Sequence, residues 1–462
     1  MRRAALLGIS VLLAVIAGWL LHSVGMYPRE VSFMGAIFIL AALLWTTEAI
    51  PLFATSFLVF GLQILLLANP GGWPFLGFES GHSPDYAAII GAAADPVLFL
   101  FFGGFLLAKA AEKVGIDRRL SVIMLRPFGN RPAFVLFGVM LITGIFSMWM
   151  SNTATAAMML TVVGPLLFTL ERTSNLRKAL LLGIAFAANI GGMATPIGSP
   201  PNLVAIGFLE HSEQPVDFLD WMFVGFPMAT LLLGFAWWVL LKIFNPPRDP
   251  VSINIDAPRI SPRGWTVIVV FFVTVILWLS DRLLGVPASV VALLPVIVFT
   301  TSGILDSEDL KSIEWDVLIL IAGGISLGAG MQMSGLDDVI ASWLAKSSFG
   351  GVALLLLLAV GTAALSTFMS NTAAANLLLP IGVSATTISS NIPLDQAAIT
   401  LALAACLGFA LPISTPPNAI AYSRGGLTVK DGAIPAILIG VFGLLLLMTV
   451  VPLLFKLQSL FK

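Results

Sequence analysis

Apolar residues run along this chain in blocks of about 20, the length at which a helix crosses the ~30 Å hydrocarbon core of a bilayer. Such blocks fall near 5–27, 31–49, 52–69, 96–111, 178–209, 222–244, 264–283, 287–303, 315–333, 396–421 and 433–455. Two further apolar stretches, 132–170 and 347–394, hold no Asp, Glu, Lys or Arg, and a Ser-Asn-Thr triplet interrupts the middle of each. One reading makes each stretch a pair of full spans joined by a polar surface turn. The other makes it a re-entrant hairpin with its tip at membrane depth, where irregular backbone survives only if it is buried in protein or lines a cavity. The flanks favour the hairpin: Ser147 and Ser366 extend the polar tips, and Trp149 and Phe368 close them. The expected fold is therefore an all-α polytopic membrane protein with eleven transmembrane helices and two re-entrant hairpins.

The pattern occurs twice. PVLFLFFGGFLLAKAAEKVGID from Pro96 matches DVLILIAGGISLGAGMQMSGLD from Asp316, and MSNTATAAMML from Met150 matches MSNTAAANLLL from Met369. TPIGSPPNLVA from Thr195 matches LPISTPPNAIA from Leu411, in the same order and at nearly constant spacing. An odd number of crossings separates the two triplets, so equivalent elements face opposite sides of the membrane. That is an inverted-topology repeat, an arrangement in which secondary transporters bind substrate near the midplane. The boundaries follow: an N-terminal helix over 1–29, a first repeat over 30–244, a cytoplasmic linker over 245–263 and a second repeat over 264–462. The first repeat holds the cytoplasmic-side hairpin 132–170 and a broken helix 178–209; the second holds the outer-side hairpin 347–394 and a broken helix 396–421. Gly115–Gly129 and Gly335–Gly350 mix charged and apolar faces at helical spacing. They read either as interfacial arms joining scaffold to hairpin or as ordinary amphipathic loops.

Composition agrees with the pattern. Hydrophobic residues make up 58% and charged residues 10% of the 462 positions, against about 25% charged in a soluble chain, so the lipid bilayer is the solvent. A net charge of −1 gives no electrostatic attraction to nucleic acid. The single cysteine, Cys406, supports neither a disulfide framework nor a thiolate metal site, and His22, His82 and His211 are far apart in sequence. Arg2 and Arg3 precede an apolar run that reaches about Val24 without a small-residue cleavage site, so a retained helix is expected rather than a signal peptide. With the N-terminus in the cytoplasm and the C-terminus outside, 18 of the 23 Lys and Arg residues lie inside, as the positive-inside rule requires. A multi-pass protein of the cytoplasmic membrane is expected.

The chemistry concentrates at the matched interruptions. Pro200-Pro201 and Pro416-Pro417 sit within apolar stretches otherwise long enough to be continuous helices. A proline inside a helix removes a donor and clashes with the preceding turn, at ~3 kcal/mol or more, so these helices are expected to unwind. Freed carbonyls suit a small cation and exposed helix N-termini suit an anion. A lone membrane asparagine commonly serves as interhelical glue, but Asn152 and Asn371 each sit at a break, between hydroxyls, in matched positions. No Lys or Arg lies in 132–170, 179–209, 347–394 or 396–423. An anion bound there would lack a fixed countercharge, and an unpaired buried carboxylate costs several kcal/mol. The positive charge must come from solution, and neutral oxygens suit Na⁺ as coupling ion. No buried carboxylate in these segments can carry a proton, and no nucleophile–base pair marks an enzyme.

These residues resemble the divalent-anion/sodium symporter family of INDY-type dicarboxylate and citrate transporters. The resemblance rests on WTTEAIP (Trp45–Pro51), both Ser-Asn-Thr motifs, TPIGSPPN (Thr195–Asn202) and ISTPPNAI (Ile413–Ile420), and covers nearly the whole chain from about Trp45. It implies a homodimer and elevator-type movement of a transport domain past a scaffold. It implies one sodium site at Ser147, Ser151, Asn152 and Gly198, and a second at Ser366, Met369, Asn371 and Ser414. Substrate carboxylates would contact Ser151, Asn152, Thr153, Ser370, Asn371 and Thr372, with Thr415 and Pro416 nearby. The chain departs from the usual pattern at Ser199, where threonine is common, and at Ser414, where a small apolar residue is common. The implied activity is sodium-coupled symport of C4-dicarboxylates such as succinate, malate or fumarate; the alternative is a dicarboxylate exchanger of the same family without net sodium coupling.

Overall fold

The computed structural model describes residues 2–79, 83–210, 215–247, 249–251, 259–346, 350–390 and 392–458. His82, His211 and residues 248 and 252–258 of the expected linker lie outside the described residues. Every regular element among the described residues is helical. In chain order the helices begin with α1 (Arg2–Ser23), α2 (Arg29–Thr47), α3 (Leu52–Gln63), α4 (Tyr86–Ala93), α5 (Val97–Val114) and α6 (Ile116–Leu125). There follow α7 (Pro132–Ser147), α8 (Asn152–Val162), α9 (Gly164–Thr169), α10 (Asn175–Gly191), α11 (Pro200–Glu210) and α12 (Phe218–Phe244). Then come α13 (Pro262–Leu279), α14 (Asp281–Leu284), α15 (Ala288–Val291), α16 (Leu293–Thr301), α17 (Ser307–Lys311) and α18 (Trp315–Ser334). The last six are α19 (Leu336–Ala345), α20 (Gly351–Phe368), α21 (Asn371–Ser390), α22 (Leu394–Ala405), α23 (Pro416–Ser423) and α24 (Val429–Gln458). Among the described residues, eight helical segments are long and apolar enough to cross a membrane, and shorter apolar helices supplement them.

The chain packs as two compact units, each drawing on both sequence repeats. Unit 1 comprises 1–98, 203–215 and 314–405; unit 2 comprises 99–202, 216–313 and 406–462.

In unit 1, α18 packs against α3 and α21, and its glycine pair explains how closely. A Cβ on Gly323 would lie 2.3 Å from Ser56 Oγ, and one on Gly324 would lie 1.8 Å from Asn376 Oδ1. Without a hydrophobic driving force between helices in lipid, small residues that let backbones approach supply the packing contact. The WTTEAIP motif builds the α2–α3 corner. Glu48 turns the chain in the left-handed region with φ 49°, and the buried Trp45 donates from Nε1 to Leu52 O at 3.1 Å.

In unit 2, aromatic rings hold the first hairpin's connection. Trp149 stacks on Phe218 with centroids 6.2 Å apart, and Phe218 stacks on the buried Trp278 at 5.1 Å. The start of α12 is fixed by Asp281, which accepts from Phe218 N at 3.2 Å, and by Arg282, which bridges Asp217 (2.7 Å) and Asp220 (2.6 Å). Beyond the end of α16, Asp306 accepts from Lys113 Nζ at 2.8 Å and caps α17. That ammonium, with the N–H groups of Asp309 and Glu308, holds the Asp306 carboxyl down to about 2, so the brace stays ionised at neutral pH.

Candidate functional site

The first triplet forms the connection between α7 and α8, which pack against each other. Ser151 adopts an extended conformation and its Oγ accepts from Ala154 N at 3.3 Å, so it caps α8 and Asn152 becomes the helix's first residue. The fully buried Ser147 donates to Ala188 O at 2.7 Å. One end of the Asn152 amide lies 2.6 Å from Ser147 Oγ, 3.0 Å from Ala188 O and 3.2 Å from Gly198 O. An NH₂ at that end donates into this oxygen set and satisfies it without help. The carbonyl oxygen at that end brings four oxygens to one point, of which only the Ser147 hydroxyl carries a hydrogen, and a bound cation would compensate the others. Neutral oxygens in such a set match Na⁺.

Backbone spacing leaves no room for a larger residue here. A Cβ on Gly192 would lie 2.5 Å from Asn152 Oδ1 and 2.7 Å from Gly198 O, and one on Gly198 would lie 2.6 Å from Gly192 O. The helix opens between these glycines: α10 ends at Gly191, Pro196–Gly198 makes a single 3₁₀ turn, and Ser199 is extended. Asn202 ties the opening together, donating to Gly192 O and Thr195 O at 2.8 Å each. Thr195 Oγ1 donates to Met148 O, which anchors the opening to the hairpin.

The second opening, between α22 and α23, repeats this construction. Thr415 is extended and buried, Pro416 and Pro417 occupy the first helical positions, and Asn418 donates to Phe409 O (2.8 Å) and Leu411 O (2.9 Å). Sequence placed both proline pairs within helices that must break. The structure unwinds each helix before its prolines, which then open the next segment at positions where the missing N–H costs nothing. Within unit 2, α8, α10 and α23 pack mutually.

The second triplet lies in unit 1, between α20 and α21, and uses the same chemistry. Ser366, fully buried, donates to Ala405 O (2.6 Å) and lies 2.7 Å from Asn371 Oδ1. The Met369 side chain packs in the unit 1 core, and its Sδ accepts from Thr46 Oγ1 at 3.7 Å. What Met369 can offer a cation is its main-chain oxygen. Thr372 is buried and Ser370 half-buried, whereas Phe368 is exposed rather than closing the tip. In unit 2, Ser414 Oγ accepts from Leu411 N at 3.1 Å, and Pro416 is exposed.

Sequence reasoning missed Ala188, Ala405, Gly192, Asn202, Asn418 and Asn189. The first two act through main-chain oxygens, which carry no side-chain signature. Asn202 and Asn418 were visible as the last letters of the duplicated Pro-Pro-Asn. Among the described residues, no group of three or more His, Cys, Asp or Glu could hold a metal.

Apolar membrane-length helices, with a paired-helix tip free of charged residues in each unit, mark a membrane protein, and the family match makes it a transporter. The family model for the sodium:sulfate symporter transmembrane region matches residues 3–457, and the chain belongs to that family. It is 33% identical over 442 residues to an uncharacterized transporter of Haemophilus influenzae, covering 90% of each chain. It is 35% identical over 364 residues to an uncharacterized transporter of Schizosaccharomyces pombe, covering 76% of this chain but 41% of that longer protein. It is 29% identical over 454 residues to the sodium-dependent dicarboxylate transporter SdcS of Staphylococcus aureus, covering 88% of this chain and 83% of SdcS. Among solved structures, MtrF of Neisseria gonorrhoeae shares the fold, with a TM-score of 0.54, 13% identity, and coverage of 88% and 94% of the two chains.

Proposed function

We propose that this protein is a secondary active transporter that couples sodium to the uptake of C4-dicarboxylates across the cytoplasmic membrane. The observation that carries the proposal is the convergence of Ser147 Oγ, Ala188 O and Gly198 O on one end of the Asn152 amide. One sodium ion is assigned to that set with Ser151 beside it, and a second to Ser366, Asn371 and the main chain of Met369. Substrate carboxylates are assigned to Ser151, Asn152 and Thr153 of one tip and to Ser370, Asn371 and Thr372 of the other. Thr415 and Pro416, at the start of α23, are assigned to the same role. Helix N-termini at α8 and α23 favour an anion, and sodium supplies the charge that the absent Lys and Arg do not. The name of the S. aureus relative agrees with this substrate class.

The remaining features of the proposal are eleven crossings with two re-entrant hairpins, a homodimer, and elevator-type movement. Driving force is adequate: a tenfold sodium gradient supplies ~1.4 kcal/mol per ion, and each net charge moved adds ~2.3 kcal/mol per 100 mV. Two sodium ions with a dianion are electroneutral; three are electrogenic.

Uptake of labelled succinate into proteoliposomes with an imposed sodium gradient tests this reading. Accumulation that follows the gradient is expected, with malate and fumarate competing. Uptake indifferent to sodium but accelerated by internal dicarboxylate would replace symport with exchange. Topology has its own test. Cysteines placed at Arg131 and Glu171 should label from the cytoplasm, and cysteines at Gly350 and Pro393 from outside. The native Cys406 is buried and will not interfere. Labelling of all four from one side would sink the inverted arrangement.

A further inference from the structure

The two broken helices match beyond the motifs already described. AANIGGMATPIGSPPN (187–202) aligns with AACLGFALPISTPPN (404–418) with one residue deleted. Ala188 falls on Ala405, and each of these alanines offers its carbonyl to a hairpin serine, Ser147 or Ser366. The next residues, Asn189 and Cys406, are therefore also equivalent, and their side chains do the same thing. Asn189 Nδ2 lies 3.1 Å from Thr415 Oγ1 and 3.4 Å from Asn418 Oδ1. Cys406 Sγ lies 3.5 Å from Ser199 Oγ and 3.7 Å from Asn202 Oδ1. Each residue thus holds the hydroxyl and the Pro-Pro-Asn asparagine that open the helix of the opposite repeat. All six residues belong to unit 2, and both holding side chains are buried.

The two holds differ in strength. A thiol is a weak donor, and its contacts are long. The Asn189 amide reaches two partners of the second opening and also donates to Ala185 O at 2.9 Å. Its Oδ1 is buried without a partner. An apolar side chain of that size would avoid the desolvation cost of that oxygen, so packing alone does not account for an amide here. What the amide supplies, and a leucine would not, is the donor aimed at Thr415 and Asn418.

We propose that Asn189 is a positioning residue that transmits sodium occupancy of the first tip to the anion-binding start of α23. A cation drawing on Ala188 O fixes the end of α10. Asn189, the next residue, then fixes Thr415 and Asn418, whose own bonds to Phe409 O and Leu411 O set the opening. The inference rests on the sodium-coupled reading above. It places part of the ion–substrate coupling in a residue that touches neither ligand.

Equilibrium binding of succinate to purified full-length protein, in sodium and in choline buffers, tests it. In wild type, saturating sodium should raise succinate affinity by about tenfold or more, within the usual range of coupling between sites. Asn189→Ala should cut that ratio below about threefold while sodium affinity measured without succinate stays within about twofold. Asn189→Cys, which installs the residue of the matching position, should fall between them, and it decides the matter if the alanine variant does not fold. A merely structural role would lower yield and melting temperature and leave the ratio untouched. Either variant, monodisperse and with the wild-type ratio, overturns the proposal. Absence of any sodium effect in wild type instead removes the functional reading itself, and this inference with it.

Discussion

A methyl group on Gly192 is expected to abolish sodium-dependent uptake. The alanine Cβ would sit 2.5 Å from the Asn152 amide oxygen and 2.7 Å from Gly198 O, distances that real Cβ atoms do not adopt. One of those neighbours is backbone in a buried opening, so relief must come from moving Gly198 or rotating Asn152 out of the oxygen set. Overpacking of this kind costs about 1–3 kcal/mol, and here the displaced atoms are the proposed ligands themselves. Sodium affinity should fall by about tenfold to a hundredfold, since each 1.4 kcal/mol is a factor of ten. Gly198→Ala should behave alike, because its Cβ would meet Gly192 O at 2.6 Å. Gly164→Ala, at a position where a Cβ meets nothing within 4 Å, is the control and should transport normally. Sodium-dependent uptake at normal rates by Gly192→Ala protein would mean that the first tip does not hold the ion.

Asn152→Asp should move the two ligands in opposite directions. The neutral amide can turn oxygen toward a cation and NH₂ toward a carboxylate, whereas aspartate offers only oxygen and adds a negative charge. Opposite charges ~4 Å apart near a protein surface attract by about 4 kcal/mol, part of which desolvation of the new carboxylate offsets. Sodium should therefore bind about tenfold more tightly. The dianion loses its donor and gains a like charge, so succinate affinity should fall by more than about tenfold. A variant in which both affinities fall together would contradict the assignment of the amide oxygen to the ion, and one in which neither moves would place both ligands elsewhere. Isothermal titration of each ligand in the purified protein measures both effects.

Much of this was legible in the chain because it is written twice. The triplets, the glycine pairs and Pro-Pro-Asn stand out as matched interruptions in apolar sequence, and eight helical segments among the described residues are long and apolar enough to cross a membrane. Three kinds of feature were not legible. Ala188 and Ala405 act through carbonyls, and nothing in an alanine announces that its oxygen is needed. Asn189 is a single amide in the run AFAANIGG, which by itself reads as glue between helices. The prolines signalled a break but not its location, since sequence cannot tell a proline that ruptures a helix from one that begins the next. Met369 is a further case: the family resemblance implied an ion-binding role for it, yet its side chain belongs to the unit 1 core.

Titration of wild type, Asn152→Ala and Asn371→Ala with succinate at several fixed sodium concentrations tests the joint binding of ion and dianion most directly. Bound sodium is part of the anion's site, so loss of either amide should weaken both ligands, and linkage makes the two losses reciprocal. Expected in each monodisperse variant is a loss of about tenfold or more in succinate affinity at fixed sodium. A matching loss of sodium affinity at fixed succinate should accompany it. Wild-type affinities for both ligands in both variants would show that neither Ser-Asn-Thr tip binds ion or substrate.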